Sequence, residues 1–364
     1  MTLPDAAALA ALSVLDRRLV ALVIRLACGG GTTEELDALP PRAADEPLSV
    51  WTCRLRAART RSPWQDLHRR VAQAAERHLD TARQAGIVPL VLGAPEYPAR
   101  LAAIPDPPPV LWVQGTPDAL ARKGVALVGS RSATAGALAV ARQLASELAA
   151  AGLVVISGLA RGVDSAAHRG ALAAGGCTVG VLGCGPDTIY PPEHAELARE
   201  MVSSGAVVSE LPPGTRPLPR FFPLRNRIIS GLSLGVVVVE APEKSGALIT
   251  ASAAAEQGRE VMAVPGPVLG GRNRGGHLLI RDGARIVESA ADVLQELGLD
   301  AEGRPGERQP SLLGHLPEGP DFTIEEVAAL TGETPEAVLA RLLELELEGR
   351  IQRVGGGRFA RVLT

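Results

Sequence analysis

The sequence predicts an α/β protein: a Rossmann-like, doubly wound parallel sheet, with a helical amino-terminal domain and a carboxy-terminal winged helix. Three observations predict it. From Gly124 onward, short runs of consecutive apolar residues alternate with stretches of helix length. Strands that are apolar on both faces belong to a parallel sheet covered on both sides. Upstream of residue 85, by contrast, Ala and Leu recur at helical spacing. Residues 311–364 read helix, helix, then two short β runs across the turn Gly355-Gly356-Gly357, the order of a winged helix.

The 364 residues allow two or three domains, at least one with a sizeable core. The net charge of −3 excludes a global basic field, so any polyanion site is a local patch. The charge is unevenly spread. Thr215 to Arg227 holds Arg216, Arg220, Arg225 and Arg227 and no acid, whereas Asp321 to Gly349 holds eight acids against Arg341 alone. The four cysteines, at 28, 53, 177 and 184, form no Cys-x-x-Cys pair, and no histidines stand at finger spacing. That argues against a zinc site or a disulfide framework and fits a reducing compartment. No charged-then-apolar leader opens the chain, and no apolar run approaches the ~20 residues of a membrane span. The expectation is a cytoplasmic protein with no membrane segment.

In chain order, helices are expected over Ala6–Ala27 and Trp64–Ala85, separated by the polar Gly29–Pro47. Gly29-Gly30-Gly31-Thr32-Thr33-Glu34 approximates a nucleotide-binding Gly-Gly-x-Gly-Thr-x-x-Glu loop. No strand precedes it, so it reads as a helix-breaking loop with Thr33 as N-cap. Ile87 to Gly115 is a connector of short extended pieces, because Pro98, Pro105 and Pro107 to Pro109 forbid a helix. Trp112 anchors this arm on the next domain. Strands follow at Val125–Val128, Val154–Ile156, Thr178–Leu182, Ala206–Val208, Val236–Val239 and Glu260–Ala263. Helices fall at Ala135–Ala150, Ser165–Ala174, Pro192–Val202, Asn226–Leu232 and Ala247–Gln257. Gly298 to Pro310 is a polar linker. The domains are therefore 1–85 (helical), 86–297 (Rossmann-like), the linker 298–310, and 311–364.

Ligands of open parallel sheets bind beyond the carboxyl ends of the strands. The first strand ends in Gly129-Ser130-Arg131-Ser132. Glycine allows close backbone approach, and Arg131 offers a forked cation for phosphate. This is not Gly-x-Gly-x-x-Gly, and there is no Walker lysine, which disfavours a dinucleotide-dependent dehydrogenase. The second strand ends in Ser157-Gly158-Leu159-Ala160-Arg161-Gly162-Val163-Asp164. Asp164 reads as a helix cap and His168 as a hydrogen-bonding core contact, with a catalytic dyad as the alternative. Cys184, between Gly183 and Gly185, reads as part of a close-packed turn rather than a nucleophile, and Tyr190-Pro191-Pro192 follows it. Ser209-Glu210 closes the fourth strand, with Glu210 placed to orient an arginine of the next loop. That loop, Pro212 to Pro223, is stiff with proline and presents Arg216, Arg220, Phe221, Phe222, Arg225 and Arg227. The phenylalanines there either stack a base or anchor the loop. Beyond the fifth strand, Lys244-Ser245-Gly246 opens a helix, so a lysine meets helix N–H groups. One sheet edge thus collects Arg131, Arg161, Arg225, Arg227 and Lys244. That is more charge than one monophosphate needs and suits a strand backbone.

These residues also carry a resemblance. Val128-Gly129-Ser130-Arg131, the Ser157–Asp164 segment with His168, Ser209-Glu210, and Phe222-Pro223-Leu224-Arg225-Asn226-Arg227-Ile228-Ile229-Ser230-Gly231-Leu232 are similar to the bacterial DNA-processing protein A (DprA/Smf) family. So are Glu240-Ala241, Lys244-Ser245-Gly246 with Ile249-Thr250-Ala251, and Val264-Pro265-Gly266. The resemblance covers about residues 88–290. It implies a sequence-independent single-stranded DNA-binding protein that protects incoming DNA in natural transformation. It also implies delivery to the RecA recombinase and a homodimer through the Rossmann-like domain. No catalytic residue, metal or cofactor is implied. By position, Arg131, Arg225, Asn226, Arg227, Lys244 and Ser245 would contact DNA. The expected contact surface as a whole adds Gly129, Ser130, Ser157, Gly158, Arg161, Gly162, Phe222 and Gly246. With about four phosphates held, log affinity would fall against log salt with slope about −3.

Two segments depart from the family pattern. Gly275-Gly276-His277-Leu278-Leu279-Ile280 carries histidine where the family has asparagine. The amino-terminal region, read as SAM-like or a degenerate helix-hairpin-helix, has no clear Gly-x-Gly hairpin. The tail's second helix, Pro335 to Glu348, carries Glu336, Glu344, Glu346 and Glu348 against Arg341, a face that repels phosphate. It is expected to contact protein or its own chain rather than duplex DNA. The alternative function, a Rossmann-like nucleotide phosphoribohydrolase, would need a Pro-Gly-Gly-x-Gly-Thr-x-x-Glu loop after a sheet strand, which the sequence lacks.

Overall fold

The computed structural model describes residues 77–300, 316, 321–332, 334–347, 351–354 and 358–361. The readings of residues 1–76 lie outside the described residues, as do those of residues 301–310 and of the triple-glycine turn. The chain divides into two compact units, one ending near Leu297 and one formed by the carboxy-terminal residues.

Among the described residues, the first unit is built on a sheet of nine strands. Two of them lie in the segment read as a connector: β1 (Ile87–Val91) and β2 (Val110–Gly115), with the short helix α1 (Ala99–Ala102) between. The expected strands follow as β3 (Gly124–Val128), β4 (Val154–Ser157), β5 (Thr178–Leu182), β6 (Ala206–Ser209), β7 (Gly235–Val238) and β8 (Glu260–Ala263), then a two-residue β9 (Arg285–Ile286). Their spatial order is β1-β2-β6-β5-β4-β3-β7-β8-β9. From β3 to β9 every pairing is parallel; β2 joins β6 antiparallel, with Trp112 opposite Ser209, and β1 joins β2 antiparallel. The connector is thus the antiparallel edge of the main sheet. Pro89 is tolerated there because β1 is an edge strand with one hydrogen-bonded side.

Five helices cross between the parallel strands β3 to β8: α2 (Ala135–Ala150), α3 (Val163–Ala173), α4 (Ala195–Ser204), α5 (Phe221–Leu232) and α6 (Gly246–Glu256). Helix α3 packs against both α2 and α4, and α5 packs on α1 and α6. Thr134 starts α2 by accepting from Ala137 N–H at 3.2 Å. Helix α5 begins at Phe221 rather than at Asn226. Pro223 fits because it stands in the first turn, where backbone N–H groups have no intrahelical partner. A further helix, α7 (Arg274–Arg281), was not expected, since Gly275 and Gly276 have low helix propensity. Gly275 is needed there: a Cβ would lie 2.7 Å from the Pro242 carbonyl oxygen. Helix α8 (Ala290–Glu296) closes the unit with a capping box between Ser289 and Asp292.

The strands alternate their side chains between two apolar layers. Ala126, Val128, Val236 and Val238 meet Ile228, Ile229 and Leu232 of α5, while Leu182 and Val207 meet Leu159, Leu197 and Met201. Each fully buried side chain of this size contributes about 1.5–3 kcal/mol. That leaves the strand ends as the rigid rim on which a site is built.

Topology places that rim. The chain steps outward from β3 to β6 and then returns to the other side of β3 as β7. The winding reverses at β3 and β7, so the loops leaving their carboxyl ends diverge and open a crevice.

The second unit has α9 (Ile324–Thr331), α10 (Pro335–Leu347) and the antiparallel pair β10 (Ile351–Val354) and β11 (Arg358–Arg361). Its core is Leu316, Phe322, Val327, Val338, Leu342, Ile351 and Phe359. Thr323 and Glu326 form a capping box on α9, and Phe322 bridges to Phe359. This is the winged-helix arrangement. Among the described residues, no helix is long and apolar enough to cross a membrane.

Candidate nucleic-acid interface

A groove of about 610 Å³ lies at the switch point. The β3 loop (Gly129 to Ser132), the start of α5 (Phe222, Asn226), Tyr190 and the β7 loop (Lys244 to Ala247) line it.

Its first wall is the β3 loop, held from both sides. Ser130 N–H donates to the Glu240 carbonyl at 2.7 Å. The buried Glu240 carboxylate accepts from Thr134 Oγ at 2.7 Å, so the end of β7 pins the start of α2. Glu240 entered the sequence reading only as a motif position. The signal available in the sequence is an acid directly after the apolar run Val236 to Val239. From beneath, Val163 N–H donates to the Ser130 carbonyl at 3.2 Å. Gly162 has φ +79°, and a Cβ on it would collide with the Ser130 carbonyl oxygen. Gly129 is equally confined, with the place of its Cβ 2.6 Å from Val163. Both glycines serve close packing of one loop on the next. Arg131 emerges from this scaffold exposed, its guanidinium 5.8 Å from the Phe222 ring centroid.

The floor is a buried polar cluster. Arg225, 6% exposed, donates to the carbonyls of Gly158 (2.7 Å) and Val181 and to Asn226 Oδ1 (3.1 Å). Burial pushes its pKa down to about 10, against the opposing pull of Asp164. Gly158 has no room for a Cβ because the Arg225 guanidinium occupies that place. Asp164 does not cap its helix. The N-cap position is Gly162, and the Asp164 carboxylate turns back to accept from Gly158 N–H (3.1 Å) and Ala160 N–H (3.4 Å). Burial holds its pKa above the ordinary carboxylate value, although Arg225 and these amides pull the other way. Ser157 is fully buried and donates to the Leu127 carbonyl at 2.6 Å, tying β4 to β3.

His168 has no role at the groove. Its Nδ1 pairs with Thr178 Oγ at 2.7 Å, and since that hydroxyl donates to the Val155 carbonyl, Nδ1 carries the proton. Burial lowers its pKa to about 3, so the ring is neutral. Cys184 donates to the Thr188 carbonyl at 2.9 Å, and burial raises its pKa to about 12, which leaves it an unreactive thiol at neutral pH.

The five cations of the sequence reading therefore separate. Arg225 is interior. Arg227 lies outside the groove lining, its side chain 12% exposed and paired with Glu210 at 2.7 Å and Asp106 at 3.1 Å. The expected partnership of Glu210 with an arginine is this one. Arg161 pairs with Glu193 at 2.5 Å on the open surface. Only Arg131 and Lys244, one from each loop of the switch point, are exposed in the groove with no ion pair among the described residues. Ser157, Gly158, Gly162 and Arg225 thus support the groove without presenting free polar groups to it, and Arg227 is engaged beside it. The physical reason is burial: strand ends and helix starts meet beneath the rim and consume those donors.

The second wall is the start of α6. Ser245 caps it, accepting from Ala247 N–H at 3.3 Å, and Asn226 Nδ2 donates to the Gly246 carbonyl at 3.2 Å. Asn226 accepts from Arg225 at the same time, so it latches the floor to this wall. His277 is a loop staple: its Nε2 donates to the Gly266 carbonyl at 3.0 Å. Asn273 accepts from Ala241 N–H (3.2 Å) and donates to the Val264 carbonyl (3.1 Å), joining the ends of β7 and β8. Among the described residues, no cluster of three His, Cys, Asp or Glu side chains could hold a metal ion.

The comparisons with known proteins agree with this architecture. Residues 89–298 match the family model for DNA recombination-mediator protein A, and residues 305–357 match that for the DprA winged helix domain. The chain is 41% identical to Protein Smf of Escherichia coli K12 over 278 residues, covering 72% of this chain and 74% of that one. It is 43% identical to the DNA processing protein DprA of Bacillus subtilis over 222 residues, covering 61% and 75%. The crystal structure of DNA processing protein A from Streptococcus pneumoniae superposes with a TM-score of 0.65 at 35% identity, covering 81% of this chain and 98% of that one. A structure of the Helicobacter pylori protein, concerned with its single-stranded DNA binding mode, superposes with a TM-score of 0.53 at 28% identity, covering 58% and 95%. The chain is a member of the DNA recombination-mediator protein A (DprA/Smf) family.

Proposed function

We propose that the groove holds the backbone of single-stranded DNA, whatever its sequence, and that the protein protects incoming DNA in natural transformation and loads the RecA recombinase onto it. One observation carries the binding step. Arg131 and Lys244 stand exposed and without an ion pair in one groove, on loops locked from beneath. Two point charges on a rigid rim favour a repeating phosphate backbone and read no base edges. The single-strand binding mode of the Helicobacter pylori relative supports the same ligand. Delivery to RecA, a homodimer through the Rossmann-like unit, and a cytoplasmic location without cofactor complete the reading and rest on the family.

The reading is one of binding without turnover. The candidate acid–base residue His168 and the candidate nucleophile Cys184 are both buried. Mobility shift with single- and double-stranded oligonucleotides tests the proposal. The wild type should prefer the single strand, and Arg131→Ala should weaken it about equally for all sequences. A preference for duplex, or an Arg131→Ala effect confined to one sequence, would contradict it.

A further inference from the structure

Three aromatic rings stand at or near the groove, and they differ in what they have left to offer. Phe222 is used up. Its ring packs on Gly183, where a Cβ would sit 3.0 Å from the ring, and the Arg131 guanidinium lies over it at 5.8 Å. Phe221 is outside the groove lining, with Arg220 5.0 Å from its ring centroid. Tyr190 differs from both. It lines the groove, is 40% exposed, and leans on Phe222 at 5.5 Å between centroids with 49° between planes. A large aromatic ring held open to solvent at the rim of a cationic groove, and backed by a second ring, is a stacking platform.

We propose that Tyr190 is a base-stacking residue: a nucleobase of the bound strand lies on its exposed face while Arg131 holds a neighbouring phosphate. Phe222 is the positioning residue. Wedged between Gly183 and Arg131, it fixes the tilt of the tyrosine ring and the place of the guanidinium together. Every base has a π face, so the contact adds affinity without adding sequence preference. This inference rests on the single-strand reading above and assigns its base contact.

The test is a two-by-two comparison. Fluorescence anisotropy is measured for wild type and Tyr190→Ala on an oligothymidylate and on an oligonucleotide of equal length built of abasic sites. Tyr190→Ala should bind the oligothymidylate roughly tenfold more weakly. On the abasic strand, which keeps the phosphates, it should differ little from wild type, and Tyr190→Phe should recover most of the loss. An equal loss on both strands, or no loss on thymidylate, overturns the proposal. A wild type that binds neither strand overturns the single-strand reading itself, a separate result. If Tyr190→Ala does not fold, photocrosslinking of the unaltered protein to a 5-iodouracil strand decides the matter. Adducts on the peptide bearing Tyr190 are expected, and their absence from it among other adducts contradicts the assignment.

Discussion

Arg225 and Arg131 have the same side chain and opposite employment. Arg225 spends its donors on Gly158, Val181 and Asn226 at 6% exposure, while Arg131 stands open over Phe222. Removing one member of a buried charged cluster costs about 3–5 kcal/mol, because the remaining groups lose their partner out of reach of water. Arg225→Ala should therefore lower the unfolding free energy by about that much in urea denaturation. Arg131→Ala should change it by no more than ~0.5 kcal/mol, as is usual for surface positions. An Arg225→Ala protein of wild-type stability would contradict the buried-clamp account. The sequence does not separate these two arginines. Both stand in motif segments just beyond a strand end or at a helix start, and the burial of Arg225 is decided by Gly158 and Val181, 67 and 44 positions away. For Arg227 the sequence offers Glu210 as a partner, but Asp106, brought in by the segment before β2, is not legible there.

At the scale of elements, the loops of the groove are stacked on one another, and glycine sets their spacing. Gly162, at φ +79°, lies directly under Ser130 and Arg131. Alanine there adds both left-handed backbone strain and a clash, with strain alone of order 1–3 kcal/mol. Gly162→Ala should displace the β3 loop and weaken single-strand binding although residue 162 offers no side chain to DNA. Equilibrium binding beside a thermal melt checks this, and unchanged affinity in a folded variant would contradict it. The parallel strands were legible because a strand buried on both faces must be a continuous apolar run. Strands β1 and β2 show in the sequence only as extended pieces, since Pro89 and Pro107 to Pro109 mask them and β6, the strand that joins β2 to the main sheet, lies about a hundred positions downstream. Helix α7 was hidden by its two glycines, which packing against Pro242 and Asn273 demands and propensity penalises.

Across the whole molecule, charge is partitioned between the two units. The first carries the exposed groove cations. In the second, two arginines of the wing meet acids of their own unit: Arg353 pairs with Glu346, and Arg358 with Asp321 and Glu326. That distribution, and the eight acids between Asp321 and Gly349, suit a protein contact better than a phosphate contact. Removing residues 301–364 should leave single-strand affinity nearly unchanged; a tenfold loss would contradict it. The charge asymmetry was readable directly from the sequence. The number of cations free to bind was not: five were expected at the sheet edge, and the fold leaves two of them both exposed and without an ion pair among the described residues.

That reduction makes the salt dependence of binding the most direct measurement of the central claim. Each phosphate neutralised on a single strand contributes about −0.7 to the slope of log affinity against log salt. Two groove cations give a slope of about −1.4 on an oligonucleotide filling one site, rather than the −3 that four contacts would give. Arg131→Ala and Lys244→Ala should each reduce the slope by about 0.7, and the double variant should bind with almost no salt dependence. A double variant that keeps the wild-type slope would place the strand elsewhere on the protein and contradict the account.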